Sequence, residues 1–366
     1  MSITPATDNL LIDGILAFDV PTERLTVRVL ERAGADPSAQ PLILVHGNLS
    51  SSLFFQRLML ALPASLRPIA VDLRGYGATD PEPLDATRGL RDFADDVWAT
   101  VDALGLDAVS LFGWSMGGGV IAQMTIDQAA RVASIILQNP VSPYGFGGTK
   151  GVDGELCFPD AAGCSGGGAN PRLVELLAAG ETDGTLGEDG SPEAASARSI
   201  VRTHYVVPRE EPWPDEDMWV ASVLSTRIGD DHYPGTGTAS SNWPGLGPGE
   251  RGVINTMSPR YLNWSPIIGI DPKPPVLWLR GEADIIVSDQ SAYDFAVLGA
   301  AGYVPGWPGE DAYPAQPMVS QTRAVLDLYE QAGGRAREVA FAGVGHSPHL
   351  EVQDQVVAAI TEHLGA

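Results

Sequence analysis

The sequence predicts an α/β chain, a doubly wound, mostly parallel sheet with a helical and irregular cap inserted after the sixth strand. Three observations carry this reading. In the first third of the chain, short apolar runs alternate with longer segments of helical periodicity. After Pro140 that rhythm gives way to a long stretch rich in Gly, Pro and acidic residues. Strand-like runs then return at "PPVLWLRG" (274–281) and "AREVAFAGVG" (336–345).

Taken in order, "LTVRVLER" (25–32), "PLILVHG" (41–47) and "RPIAVDLRG" (67–75) read as strands, and the last two hold the continuous apolar runs "PLILV" and "PIAV", as central strands do. Over 89–105, Leu90, Phe93, Val97, Trp98, Val101 and Leu104 fall on one helical face. "DAVSLFGWS" follows as a strand, "MGGGVIAQMTIDQAA" as a helix and "VASIILQNP" as a strand. Short helices are expected at "NPRLVELLAAG", "SPEAASARSIVRTHYV" and "PDEDMWVASVLST". The division expected is a sheet core from residues 1–140 and 271–366, with 141–270 as the cap. Trp213, Trp219, Trp243, Trp264 and Trp307 lie in the cap or in the later 299–318 stretch. Disordered segments are poor in aromatics, so an ordered cap is favoured over a linker.

The chain of 366 residues carries a formal net charge of -24, which repels nucleic acid and anionic membranes. No apolar run approaches the ~20 residues of a membrane span. The opening "MSITPATDNLLIDG" lacks a basic segment leading into an apolar one, so a cytoplasmic location is expected. Cys157 and Cys164 could clip a local loop or stand as free thiols. No histidine lies at ligand spacing beside them, and no metal or organic cofactor is expected.

Gly113-Trp114-Ser115-Met116-Gly117 fits G-x-S-x-G between a predicted strand and a predicted helix. A turn that sharp strains the serine backbone, and glycine on both sides removes the bulk that would collide with strand and helix. The hydroxyl of Ser115 is thereby presented above the sheet. With "HGN" (46–48), "DLRGYGATD" (72–80), "LRGEADIIV" (279–287) and "GVGHSPHLE" (343–351) in the same order, the chain resembles the α/β-hydrolase superfamily over about 25–140 and 270–366.

That resemblance implies a nucleophile, base and acid in the chain order Ser115, Asp284, His346. A serine hydroxyl needs a base to take its proton, and His346 follows the last predicted strand, where the family carries its base. His349 is the nearest rival, and His46 reads as a residue bracing its loop. Asp284 lies past "VLWLRGEA" in the family's usual place for the acid, which orients the imidazole. Some relatives put the acid after the preceding strand, but "LQNPV" offers Asn139 and no carboxylate. Glu282 and Asp289 are rivals read as solvated. The resemblance assigns the oxyanion hole to the backbone N–H groups of Met116 and Asn48. Asp72 and Arg74 read as a structural charged pair.

"HGN" also opens the corresponding loop of haloalkane dehalogenases, which, like epoxide hydrolases, use a carboxylate nucleophile; Ser115 disfavours both activities. Trp114, Trp213 and Trp219 are candidates to line a substrate pocket under the cap, or else they form the cap's own core. The gap from Asp284 to His346, 346 − 284 = 62 positions, is longer than the family usually needs, and 299–318 could form a second wall. The expected activity is hydrolysis of a neutral, bulky apolar ester or lactone, a small-molecule substrate, through an acyl-serine. An amidase or iminopeptidase, a carbon–carbon bond hydrolase and a ligand-binding receptor remain open on the same residues.

Overall fold

A computed structural model describes residues 7–366. The first six residues of the opening segment, on which the absence of a leader was read, lie outside these. The main sheet has eight strands: β1 (Ile15–Pro21), β2 (Thr26–Arg32), β3 (Gln40–Val45), β4 (Leu66–Val71), β5 (Val109–Trp114), β6 (Val132–Gln138), β7 (Val276–Gly281) and β8 (Ala336–Phe341). Their spatial order is β1-β2-β4-β3-β5-β6-β7-β8. β1 and β2 pair antiparallel, as do β2 and β4, and every pairing beyond β4 is parallel.

The apolar runs lie where their composition demands. All six residues of β5 are buried, and four of six in β3, because helices cover both faces of a parallel sheet. β1 is an edge strand with a mixed burial pattern; its half-solvated face hid it from a search for apolar runs.

The helices are α1 (Gln56–Ala61), α2 (Arg91–Ala103), α3 (Met116–Gln128), α4 (Pro171–Ala179), α5 (Ala197–Ile200), α6 (Glu216–Leu224), α7 (Val253–Thr256), α8 (Phe295–Ala300), α9 (Met318–Gln331), α10 (Pro348–Glu351) and α11 (Gln353–Leu364). The apolar stripe read over 89–105 is the buried face of α2, with Phe93, Val97, Trp98 and Val101 inside. α5 continues as a π-helical turn, Val201–Tyr205. The residues between β6 and β7 hold α4 to α7 and three small two-stranded pairings, and several of them line the cavity over Ser115. Among the described residues, no helix is long and apolar enough to cross a membrane.

Candidate active site

Ser115 ends β5 and precedes α3 with φ 58° and ψ −122°. That left-handed backbone is strained for a residue with a Cβ, by roughly 1–3 kcal/mol. The glycines explain how the turn closes. A Cβ on Gly113 would lie 2.3 Å from Gly117 O, and one on Gly117 would lie 2.2 Å from Val45 O. The first contact is strand against helix and the second is helix against the end of β3. Both obstacles are backbone and cannot move aside. Gly47 lets its loop approach as well, since its Cβ would sit 2.8 Å from Ser115 Cβ. The Ser115 side chain makes no capping bond to α3, so its hydroxyl is left for other work.

His346 follows β8 and is 2% exposed, and Asp284 follows β7 at 6%. Their side chains meet with Nδ1 of His346 2.8 Å from Asp284 Oδ2. The carboxylate is held from all sides. Oδ1 accepts the N–H groups of Ile286 (2.7 Å) and Val287 (3.2 Å), and Oδ2 also accepts Asn139 Nδ2 (2.5 Å). Asn139 stands with φ 42° and its Oδ1 accepts Gly281 N–H at 3.3 Å, tying the ends of β6 and β7 together. The asparagine that offered no carboxylate is thus the clamp on the carboxylate, a role its residue type alone could not disclose.

Ser115 and His346 line one cavity of about 410 Å³. No hydrogen bond joins Ser115 Oγ to the imidazole in this structure. Ligand-free catalytic contacts are commonly long and tighten when the substrate is in place. Asn48 lines the same cavity, and Met116 is the first residue of α3. Within the described residues no hydrogen bond takes up the N–H of either, which leaves two donors beside Ser115. Asn48 itself is fixed by two tyrosines: Tyr76 donates to its Oδ1 at 2.6 Å, and Tyr205 donates to its carbonyl at 2.9 Å and to that of Leu49 at 3.0 Å. Through the Tyr76 bond the Asn48 side chain braces its loop. Neither tyrosine was legible beforehand, since one lies in the 72–80 loop and the other in the π-helical turn.

The rivals have other employment. His349 is sealed in the core, its Nδ1 bonded to Gln138 Nε2 at 2.7 Å and its ring 5.0 Å from Trp114. Burial lowers its pKa to about 3. His46 accepts the Leu73 N–H at Nε2 (3.0 Å), and its Nδ1 faces Gly47 O and Ser50 Oγ; burial lowers it to about 4. It braces its loop as read. Asp289 caps α9 through Val319 N–H, Ser320 N–H and Ser320 Oγ. The Glu282 side chain is about half exposed beside Arg280. Cys157 and Cys164 are both free thiols.

The sealed histidines set an acid sensitivity. With its pKa near 3 when folded and near the ordinary 6.5 when unfolded, the His349 site binds more protons in the unfolded chain between those values. Its contribution is complete above pH 6.5 and is lost as pH falls toward 3. At pH 5 the loss is about 2 kcal/mol. Chemical denaturation at pH 7.5 and pH 5 therefore shows a smaller acid destabilisation for His349→Gln than for the native protein; an equal pH dependence would contradict the assignment.

Three sequence expectations need correction. Asp72 and Arg74 do not pair with each other. Asp72 accepts the N–H groups of Ser52 and Ala78, whereas Arg74 forks onto Asp96 at 2.5 and 2.7 Å. Both still hold loops, through different partners. Trp114, Trp213 and Trp219 do not line the cavity. At the end of β5 the alternation of side chains sends Ser115 to the cavity and Trp114 behind it. There its indole donates to His346 O at 2.9 Å and packs 5.1 Å from Phe54. Trp219 stacks on Phe54 (6.0 Å), so Trp114 and Trp219 join the inserted segment to the sheet, and Trp213 packs at a tilt on Trp219 (6.0 Å) within that segment. The second wall comes from Ile286, Val287, Tyr293, Phe295 and Leu298, not from 299–318.

Known proteins share part of this sequence and the fold. A family model described as the alpha/beta hydrolase fold matches residues 40–150. A haloalkane dehalogenase of Agrobacterium fabrum is 30% identical over 129 residues, covering 35% of this chain and 40% of that protein. The chain spans less than half the length of the first curated relatives it matches, 37–47% of each. Among solved structures, the esterase RhEst1 from Rhodococcus sp. ECU1013 superposes with a TM-score of 0.58 at 19% identity, covering 96% of this chain and 99% of that one. The carboxylesterase CesB of Bacillus subtilis gives 0.57 at 17%, covering 98% and 94%. The eight-stranded sheet, the glycine-flanked serine turn between β5 and α3 and these likenesses together show that the chain has the α/β-hydrolase fold, and over residues 40–150 its sequence matches that family.

Proposed function

We propose that the protein is a serine hydrolase that cleaves a neutral, bulky apolar carboxylic ester or lactone through an acyl-serine intermediate, with residues 141–270 as the cap over its site. One observation supports this above the rest. The strained, uncapped Ser115 opens on a cavity shared with His346, whose far nitrogen is already held by Asp284.

Ser115 Oγ attacks the carbonyl carbon while His346 Nε2 takes its proton. Asp284 holds the Nδ1–H tautomer and favours the imidazolium that forms. The carbonyl oxygen becomes an oxyanion and receives the N–H groups of Met116 and Asn48, each worth ~3 kcal/mol in such a site. Collapse expels the alkoxide, protonated by His346, and leaves the acyl-serine; water repeats the sequence to release the acid. No step calls on a metal or organic cofactor.

The walls argue for the substrate class. Val141, Phe146, Leu173, Ile200, Ile254 and Met257 contribute from the inserted segment. Among the described lining residues there is no Asp, Glu, Lys or Arg. A cavity without a carboxylate offers no counter-charge to a substrate ammonium, which weighs against the iminopeptidase reading, and one without a fixed cation disfavours an anionic substrate. The test is initial rates across neutral aryl esters, lactones and amino-acid anilides. Esters or lactones of apolar acids are expected to lead the anilides by at least ~100-fold in kcat/KM. Anilides turning over faster would replace this reading with the peptidase one.

A further inference from the structure

Five tyrosines are buried: Tyr76, Tyr205, Tyr233, Tyr313 and Tyr329. Four of them spend the hydroxyl on a protein acceptor, namely Asn48 Oδ1, the carbonyls of Asn48 and Leu49, Ala162 O and Pro274 O. Among the described residues Tyr233 makes no such bond. It is 4% exposed and lines the cavity that holds Ser115 and His346. Its oxygen is not among the sealed polar atoms, so the hydroxyl opens on the cavity. Asn48, Tyr205 and Tyr293 line the same cavity.

A hydroxyl that opens on the cavity and holds no protein acceptor is available to donate to a bound ligand, which a phenylalanine filling the same space could not do. The backbone that carries the phenol is held firmly. Tyr233 N–H donates to Arg227 O (3.1 Å), Val253 N–H donates to the preceding residue's carbonyl, His232 O (2.8 Å), and Leu84 N–H ties Asp231 O to the sheet domain (3.1 Å). A donor fixed in advance and surrounded by apolar walls discriminates strongly between a partner that offers an acceptor and one that does not.

We infer that Tyr233 is a specificity-determining residue that donates its hydroxyl to a second, neutral oxygen of the substrate, so that the preferred ester or lactone carries an ether, ketone or hydroxyl oxygen on its apolar body. This rests on the proposed hydrolase reading and deepens it. The experiment compares 4-nitrophenyl hexanoate with its ether isosteres, the 3-ethoxypropanoate and 4-methoxybutanoate esters, in the native protein and in Tyr233→Phe. The native protein prefers at least one isostere over hexanoate in kcat/KM, and the substitution lowers that ratio at least tenfold. Thermal stability is unchanged or raised, since no protein hydrogen bond is lost. A ratio that Tyr233→Phe leaves within twofold would overturn the inference, as would a loss equal for all three esters. Binding of the same esters in a Ser115→Ala background, with and without Tyr233→Phe, separates the two readings. Failure of the native protein to turn over any ester, with Tyr233-dependent binding of an isostere retained, overturns the hydrolase reading alone. Equal binding by both variants overturns the Tyr233 donor.

Discussion

Ser115→Gly abolishes turnover and at the same time stabilises the protein. The two effects come from one feature. The backbone at 115 is left-handed, at φ 58°, and the surrounding turn forces it there: β5 must end, α3 must begin, and the backbones of Gly113, Gly117 and Val45 leave no room for a wider path. Glycine occupies that region without steric cost. Relief of the strain outweighs the added freedom glycine gives the unfolded chain, for a net gain of about 1 kcal/mol, read as a higher midpoint in denaturant. Activity falls by at least ~10⁴-fold, because the attacking oxygen is gone while the oxyanion donors and cavity persist. A serine kept for structure would give the opposite stability change and a modest kinetic one.

Asp284→Asn lowers kcat by about four orders of magnitude while leaving the chain folded. The carboxylate accepts from Ile286, Val287, Asn139 and His346 together. An amide can keep the two backbone bonds through its oxygen. It must then turn an NH₂ group toward the Asn139 amide and the His346 Nδ1. That leaves two donors facing Asn139 Nδ2 and favours the imidazole tautomer with its proton on Nε2, the nitrogen that must accept from Ser115. The loss therefore appears in kcat, and circular dichroism remains native. Activity within tenfold of the native protein would require another acid. Glu282 is half solvated and Asp289 is committed to α9, so neither stands ready to replace it.

These particulars show what a sequence discloses. Ser115 was legible because strained turns demand glycine at fixed offsets, and the buried strands because both faces of a parallel sheet are covered. Asp284 and His346 were legible from their place after strands in a recognisable order. Residues that hold the site from behind carry no such mark. Asn139 acts through φ 42° and a bond to a residue 145 positions away. Tyr76 and Tyr205 reach Asn48 across 28 and 157 positions. The tryptophans misled for a related reason: aromatic side chains suit a pocket wall and a buried joint between layers equally well, and only the alternation at the end of β5 assigns Trp114 to the latter. Tyr233 differs from the other buried tyrosines solely by what its hydroxyl lacks, and a sequence does not record hydrogen bonds.

The most direct measurement is covalent capture of the nucleophile. The native protein is treated with a fluorophosphonate, digested and mapped by mass spectrometry. The predicted result is a single adduct on Ser115, absent from Ser115→Gly and strongly slowed in Asp284→Asn. An adduct on another serine, or none on a folded protein under conditions that label a reference esterase, would contradict the assignment of Ser115 as the activated nucleophile.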